Sequence, residues 1–150
     1  MVRLGRLPGV VVTGFVQDVR EYLARASVSI VPLRVARGIQ NKVLEAMAMG
    51  KAVVCTPQAH EGIRATSGRE LVVAEGTDDF SAATIDLLLN QGKAGRLGLA
   101  ARQCVESEYS WDDNLRLLDR ILPVGSAGEH GTEPAVGLGQ GASAAGTRLA

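Results

Sequence analysis

The chain has 150 residues, of which 46% are hydrophobic, and its 16 basic residues are balanced by 16 acidic ones. This apolar content is enough for one buried core and predicts one main domain. The balanced charge contains no block of like charges, which argues against a nucleic-acid or polybasic membrane partner, so we expect a small ligand. The apolar runs are shorter than the roughly 20 residues that cross a bilayer, and no signal-peptide core is present, so we expect a cytoplasmic protein.

Four short apolar runs predict buried β-strands. They are GVVVTG (residues 9–14), VSIVPL (28–33), KAVVCT (51–56) and ELVVA (70–74). Their valine and isoleucine residues follow one another and do not alternate with polar residues. This pattern is typical of a parallel sheet that is covered on both faces.

Amphipathic segments separate and follow these runs. They predict helices over residues 18–26, 41–50, 77–90, 93–108 and 110–122. Asp18, Thr77 and Ser110 are placed to cap three of them, and Gly50 suits the left-handed position after the second. The order indicates an α/β fold with a partial doubly wound, Rossmann-like parallel sheet of about four strands, flanked by helices and followed by carboxyl-terminal helices.

The composition changes after Pro123. About half of residues 124–150 are glycine or alanine, and the segment shows no periodicity. We therefore predict a folded domain over residues 1–123 and a disordered tail over residues 124–150.

Two cations flank the predicted start of the helix over residues 41–50. A cation at a helix N-terminus costs a few tenths to about 1 kcal/mol, and a phosphate bound at Arg37 and Lys42 would remove that cost. Gly38 would let the backbone approach the anion, and the N–H groups of residues 39–41 would point at it. The loop follows a predicted parallel strand, where ligands of open α/β sheets bind. The alternative is that both cations are solvated surface residues and Gly38 makes a turn.

Glu45 is the only charged residue between Val43 and Met49. If the helix packs on both sides, this carboxylate is partly desolvated unless it accepts hydrogen bonds. The two hydroxyls of a ribose would supply them. The alternative is a weak pair with Lys42, three residues earlier on the helix.

Other reactive side chains have simpler interpretations. Cys55 and Cys104 lack metal or redox spacing and are expected to be buried free thiols. The aspartate pairs at residues 78–79 and 112–113 fall in the first turns of predicted helices and are better explained as helix-stabilising acids than as metal ligands. His60 is expected to be a polar surface residue, with an acid/base role as the alternative.

Several separated blocks also follow the order found in a known family. The segments VTGFVQDVREYLARASVSIVPLRVARGIQNKVLEAMAMGKAVVCTPQAHEGI, ELVVAEGTDDFSAATIDLLL and EYSWDDNLRLLDRIL resemble the carboxyl-terminal, donor-binding part of family 4 glycosyltransferases of the GT-B fold. The resemblance runs from about Leu7 to Leu122. More narrowly, the segment PLRVARGIQNKVLEAMAMGKAVV looks like sugar transferases that accompany exopolysaccharide biosynthesis systems.

The resemblance implies roles for individual residues. Relatives bind the nucleotide-sugar donor with two glutamates that lie eight residues apart. Glu45 matches the second glutamate, which hydrogen-bonds the ribose in relatives. Arg37 stands at the position of the first glutamate. The implied diphosphate-binding residues are Arg37, Gly38, Ile39, Gln40, Asn41 and Lys42, and the backbone of Gly14, Phe15 and Val16 would face the nucleobase. No residue is assigned as the catalytic group.

The resemblance also implies an activity. The expected reaction is retaining transfer of a sugar from a UDP- or GDP-sugar to an acceptor hydroxyl in polysaccharide or glycan biosynthesis, with no cofactor and no essential metal. Relatives bind a glycan or lipid-linked acceptor with an amino-terminal domain, and a full-length enzyme could lie at the inner membrane. Since that domain has no counterpart in the sequence, we expect this chain alone to be inactive. The alternative is a non-catalytic α/β nucleotide- or partner-binding module derived from such an enzyme.

Overall fold

A computed structural model describes residues 4–110 of the chain. In chain order its elements are a 3-10 helix Leu4–Arg6, helix α1 Arg20–Arg25, strand β1 Val28–Val31, helix α2 Asn41–Ala48, strand β2 Ala52–Cys55, helix α3 Pro57–His60, strand β3 Val72–Val73, helix α4 Gly76–Leu89 and helix α5 Gln91–Glu108. None of these helices is long and apolar enough to cross a membrane. The helix predicted over residues 110–122, apart from Ser110, and the predicted tail lie outside the described residues.

The three strands form one parallel sheet in the order β1-β2-β3. Val28 of β1 pairs with Ala52 of β2, and Val54 of β2 pairs with Val72 of β3. The predicted α/β fold, with a parallel sheet flanked by helices, is confirmed. Within residues 4–110 the sheet has three strands and not the expected four.

The predicted strand over residues 9–14 is not formed, which is a correction to the sequence-based prediction. Val11 is 85% exposed and Val12 is 51% exposed, and the segment pairs with neither edge of the sheet. Gly9 and Gly14 have φ values of 80° and 68°, so the backbone turns at both ends of the run. β-Branched residues favour an extended backbone, but a strand is stabilised by pairing with a neighbour, and this segment has none among the described strands.

Strand β2 is the centre of the core because all four of its residues are buried. Successive side chains of a strand point to opposite faces of the sheet. Val53 and Cys55 pack in one cluster with α2 and part of α5, whereas Ala52 and Val54 pack in a second cluster with α4 and the first half of α5. Helices therefore cover both faces, as the unbroken apolar runs predicted.

The cysteines differ in their surroundings. Cys55 is a fully buried free thiol, and burial raises its pKa to about 11. Cys104 is also free but only half-buried, and its thiol lies 3.0 Å from the carbonyl oxygen of Arg64. The expectation of buried free thiols is thus confirmed for Cys55 and too strong for Cys104.

Helix ends agree with the predictions to different degrees. Gly50 follows α2 with φ 66°, as expected for a left-handed position. Thr77 does not cap α4, because that helix begins one residue earlier, at Gly76. Helix α3 was not predicted; the Thr56 hydroxyl accepts a hydrogen bond from the backbone N–H of Ala59 and caps it.

Two glycines allow α5 to approach the turn between α2 and β2. A Cβ atom at Gly98 would overlap the carbonyl oxygen of Gly50 and lie 2.9 Å from its carbonyl carbon and 3.3 Å from the backbone nitrogen of Ala52. Backbone atoms cannot move aside as a flexible side chain can. Residue 98 must therefore lack a side chain if α5 is to hold the carboxyl end of α2 against the sheet.

The Gly98→Ala substitution should destabilise the protein by about 1–3 kcal/mol, because the added methyl group forces helix and turn apart. Gly95→Ala on the same helix is the matched control, since a Cβ there meets no described atom within 4 Å. That change should be neutral or stabilise by up to about 1 kcal/mol. Urea unfolding monitored by circular dichroism measures both. Equal stability of the two variants would show that the close approach at Gly98 is not required.

Candidate functional site

The N-terminus of α2 has backbone donors that the helix itself does not use. The carbonyl of Gln40 accepts hydrogen bonds from the N–H groups of Val43 at 2.9 Å and Leu44 at 3.4 Å. The first N–H groups of an α-helix have no partner within the helix. Those of Asn41 and Lys42 are therefore directed out of the helix end.

This helix end also lacks the capping side chains and acids that stabilise other helices of the protein. The Thr56 side chain caps α3, the Asn90 side chain caps α5, and α4 carries Asp78 and Asp79 in its first turn. Helix α2 has neither a side-chain cap nor an acid in its first turn. Among helices of eight or more residues within 4–110, it alone has neither, so its positive dipole end is not compensated by the protein.

The loop before α2 is held in a defined shape. Gly38 has φ 65°, and the side-chain amide of Gln40 donates to the carbonyl oxygens of Arg37 at 3.2 Å and Gly38 at 3.0 Å. Ile39 is 50% exposed. Neither Arg37 nor Lys42 lies within 4 Å of a carboxylate belonging to residues 4–110. Two available cations thus flank a helix end that favours an anion.

Glu45 lies on the exposed face of α2, opposite the buried side chains of Val43, Ala46 and Met47. The prediction that its carboxylate is partly desolvated is wrong, because α2 packs against the sheet along one face only. No ion pair with Lys42 forms in this part of the chain either. The carboxylate is open to solvent and can accept hydrogen bonds from a ligand.

Glu45 borders a surface pocket of about 420 Å³ between α1 and α2, which we call the Glu45 pocket. Its other walls are residues 17–20 and Leu23 on one side, and Ala48 and Met49 on the other. The amine of Lys51 donates to the carbonyl oxygen of Ala24 at 2.8 Å and ties the end of α1 to the start of β2. The end of α1 is thereby joined to the residue that precedes the buried strand β2.

An ion pair contributes one wall of the Glu45 pocket. The guanidinium of Arg20 donates from Nε to Oδ1 of Asp18 at 2.9 Å and from Nη2 to Oδ2 at 2.7 Å, and the backbone N–H of Arg20 also donates to Oδ1. The side-chain and backbone hydrogen bonds from Arg20 hold the pKa of Asp18 below its usual value. Because Arg20 balances the charge of Asp18, Glu45 is the carboxylate of this pocket that lacks a cationic partner among the described residues.

The turn Gly14, Phe15 and Val16 leads directly into this wall. Phe15 is 94% exposed, and with Val16 it borders a second pocket of about 300 Å³. The two pockets adjoin, since Gln17 and Asp18 border both. The structure therefore brings the predicted base-facing turn next to the Glu45 pocket, whereas Arg37 to Lys42 lie outside both.

Sequence reasoning did not identify three contributors to this region. Gln17 and the pair of Asp18 with Arg20 were not predicted as pocket walls, although the D-x-R spacing at a helix start is visible in the sequence. The contact of Lys51 with α1 joins residues 27 positions apart and has no local sequence signal.

His60 and the aspartates have structural roles. The Nε2 atom of His60 lies 2.7 Å from the carbonyl oxygen of Ala65, so the half-buried ring closes the loop after α3 and is not simply a surface side chain. Asp78 and Asp79 lie in the first turn of α4, as predicted. Within the part of the chain that the structure describes, no group of three or more His, Cys, Asp or Glu side chains is placed to hold a metal ion.

Comparison with known proteins gives one family match. The family described as glycosyl transferases group 1 matches residues 2–90, which is more than half of the chain. The matched region includes the Gly14 turn, the Glu45 pocket and the start of α2. No curated protein matches the chain.

Replacing Arg20 should raise the pKa of the Asp18 carboxyl group. In Arg20→Ala the pKa of Asp18 should rise toward the ordinary value of 3.8, because both the side-chain hydrogen bonds and the cation are lost. Since the folded-state pKa is lowered, the pair is intact at neutral pH and is lost only as the pH falls through that pKa. An NMR titration of the carboxyl carbon measures the change, with Arg25→Ala on the same helix as control. Identical titration of Asp18 in the two variants would contradict the assignment.

Proposed function

The chain belongs to the glycosyl transferases group 1 family, and we propose that the described domain binds the nucleoside diphosphate sugar that serves as donor in sugar transfer. The observation that carries the proposal is the N-terminus of α2, which has free backbone donors, two available cations and no acid of its own. Glu45 lies one helical turn further along.

The diphosphate is assigned to the start of α2. Its oxygens would accept hydrogen bonds from the N–H groups of Asn41 and Lys42, while the side chains of Arg37 and Lys42 balance its charge. Gly38 and Ile39 would let the anion approach the backbone, and Gln40 holds the loop in shape through its two carbonyl contacts. These groups bind an anion without a metal ion.

The ribose is assigned to Glu45. Four residues separate Asn41 from Glu45, which is about 6 Å along the helix axis. A ribose attached to a phosphate at the helix start would lie at that height, with its two hydroxyls donating to the exposed carboxylate. The nucleobase would then reach the backbone of Gly14, Phe15 and Val16 beside the adjoining pocket. A backbone edge suits uracil and guanine alike, so the proposed donors are UDP- and GDP-sugars.

The proposed reaction is transfer to an acceptor hydroxyl with retention of configuration, in polysaccharide or glycan assembly such as that of an exopolysaccharide. The bond between the sugar's anomeric carbon and the diphosphate breaks, the acceptor oxygen bonds to that carbon, and the acceptor's proton passes to the departing diphosphate oxygen. Arg37, Lys42 and the helix dipole would stabilise the charge that develops on the departing diphosphate. The acceptor is proposed to bind to a separate amino-terminal domain, without which we expect donor binding but no transfer.

One observation favours a second candidate, a binding module that no longer catalyses transfer. Arg37 stands where the family pattern has an acid, and a cation there favours holding the diphosphate more than acting on the sugar. Adding the amino-terminal domain of a related transferase separates the two candidates. Restored transfer supports the enzyme, whereas donor binding without transfer supports the module.

Replacing Glu45 tests the binding proposal. Hydrogen bonds to a charged group contribute about 1.5–3 kcal/mol, so Glu45→Ala should weaken UDP or GDP binding roughly 10- to 100-fold. Isothermal titration of the purified chain with UDP, GDP and their sugars measures this. Glu106→Ala is the matched control, because it also removes one exposed helical carboxylate, whose ion pair with Arg102 contributes little.

Two results would contradict the proposal. If no nucleotide and no nucleotide sugar binds, the proposal that the domain contains a donor site is wrong. Equal affinity of Glu45→Ala and Glu106→Ala would show that the ribose does not bind at Glu45.

A further inference from the structure

The side of α4 that points away from the sheet is apolar, although it is exposed in the single chain. Ile85 is 55% exposed, Leu89 is 82% exposed, and Ala82 is exposed as well. Residues three and four positions apart lie on the same side of an α-helix, so these three side chains lie within roughly 60° of one another around the helix axis. Leu88, which is 48% exposed, borders them. We call these four residues the outer face of α4.

The outer face of α4 takes no part in the core. Leu87 is buried on the opposite side of the helix, where Phe80 and Ala83 pack beside it against the sheet. A helix that covers a sheet needs apolar residues on its packed side only. Within Gln91–Glu108, by comparison, Leu99 is the one large apolar side chain that is exposed. Single exposed apolar residues are normal, whereas a contiguous row indicates contact with a partner.

The spacing of the outer face suits a second copy of α4 that runs in the opposite direction. If the two copies cross near Ile85, Ala82 of one copy lies beside Leu89 of the other, and the same contact forms again on the far side of the crossing. A small residue then faces a large residue twice, which allows close packing. This arrangement has two-fold symmetry, the commonest symmetry of homo-oligomers.

The charges at the two ends of α4 also fit an antiparallel pair. Asp78 and Asp79 lie in its first turn, and neither forms an ion pair within residues 4–110. Just beyond its other end, Nη1 of Arg96 lies 3.7 Å from the position of a Cβ at Gly92, and no carboxylate of the described residues lies within 4 Å of this cation. Antiparallel packing brings the acidic end of each copy to the cationic end of the other.

The carboxylate nearest to the middle of the outer face is balanced within the chain. Asp86 follows Ile85, so two copies of its carboxylate would lie near each other at the crossing. Nζ of Lys93 donates to Oδ2 of Asp86 at 2.6 Å and offsets the repulsion between them. The middle of the outer face can therefore be buried without placing unpaired like charges together.

We propose that the outer face of α4 is the interface of an antiparallel dimer of this chain. It is apolar in the middle and carries opposite charges at its two ends, which a second copy matches. A lipid surface would match the apolar middle and leave the acidic end without a cation. The inference does not depend on donor binding, because α2 and α4 pack on opposite faces of the sheet and the dimer leaves the Glu45 pocket open.

Sedimentation velocity of the full 150-residue chain, from about 1 to 500 µM, tests the proposal. Because each copy contributes few side chains, we expect a transient dimer with a dissociation constant on the order of 10–100 µM. Ile85→Lys places two like charges at the crossing and should weaken dimerisation at least roughly 30-fold. Leu99→Lys is the matched control, since it adds the same charge at a leucine that is 60% exposed on α5. Ile85 belongs to neither core cluster, so circular dichroism should show that both variants are folded.

Charge reversal tests the antiparallel direction. Asp78→Lys and Arg96→Glu should each weaken dimerisation about 3- to 10-fold at low ionic strength, because each creates two contacts between like charges. An equimolar mixture of the two variants should regain the original affinity, since the new lysine of one chain then faces the new glutamate of the other. Mixing would not rescue a variant that failed to fold.

Three results would overturn the proposal. They are a monomer at every concentration, equal dimerisation of Ile85→Lys and Leu99→Lys, and no recovery when the two charge variants are mixed. Binding of a monomeric chain to phosphatidylcholine vesicles, lost in Ile85→Lys, would also overturn it and assign the outer face to a membrane surface.

Discussion

The burial of β2 on both faces is the constraint on which the rest of the structure depends. Ala52 to Cys55 are all buried, and each neighbouring strand pairs with β2 in parallel. Parallel pairing brings the carboxyl ends of all three strands to one edge. The loop that leads to Arg37 therefore begins at the same edge as the segments that follow β2 and β3. Lys51 and Gly50, at the start of the same strand, set the positions of α1 and α2.

The start of α2 departs from the usual stabilisation of helix ends in a way that suits a ligand. Absence of a capping side chain typically costs about 1 kcal/mol, and cations at this end add to the cost. The protein caps α3 with Thr56 and α5 with Asn90, so the same chain contains the ordinary solution elsewhere. Local rules are broken most often at functional sites, and a bound diphosphate would offset the cost.

Much of the fold could be predicted from the sequence because its signals are local. Unbroken apolar runs identified the three strands, and Gly50 marked the end of α2. The strand predicted over residues 9–14 is not formed, because a strand depends on pairing with a partner that is distant in the chain. The exposure of Glu45 was not predicted because α2 packs along one face only. The composition of α2 does not reveal whether one face or two are packed. The contacts of Lys51 with Ala24 and of Gly98 with Gly50 join distant residues and leave no local pattern.

The central claim is that a nucleoside diphosphate binds at the start of α2. Amide chemical shifts measured while UDP is added to the isotopically labelled chain test it most directly. Binding there predicts the largest shifts at the N–H groups of Asn41 and Lys42, with a smaller shift at Glu45. Shifts confined to the pocket between residues 64–70 and α5, with Asn41 and Lys42 unchanged, would contradict it.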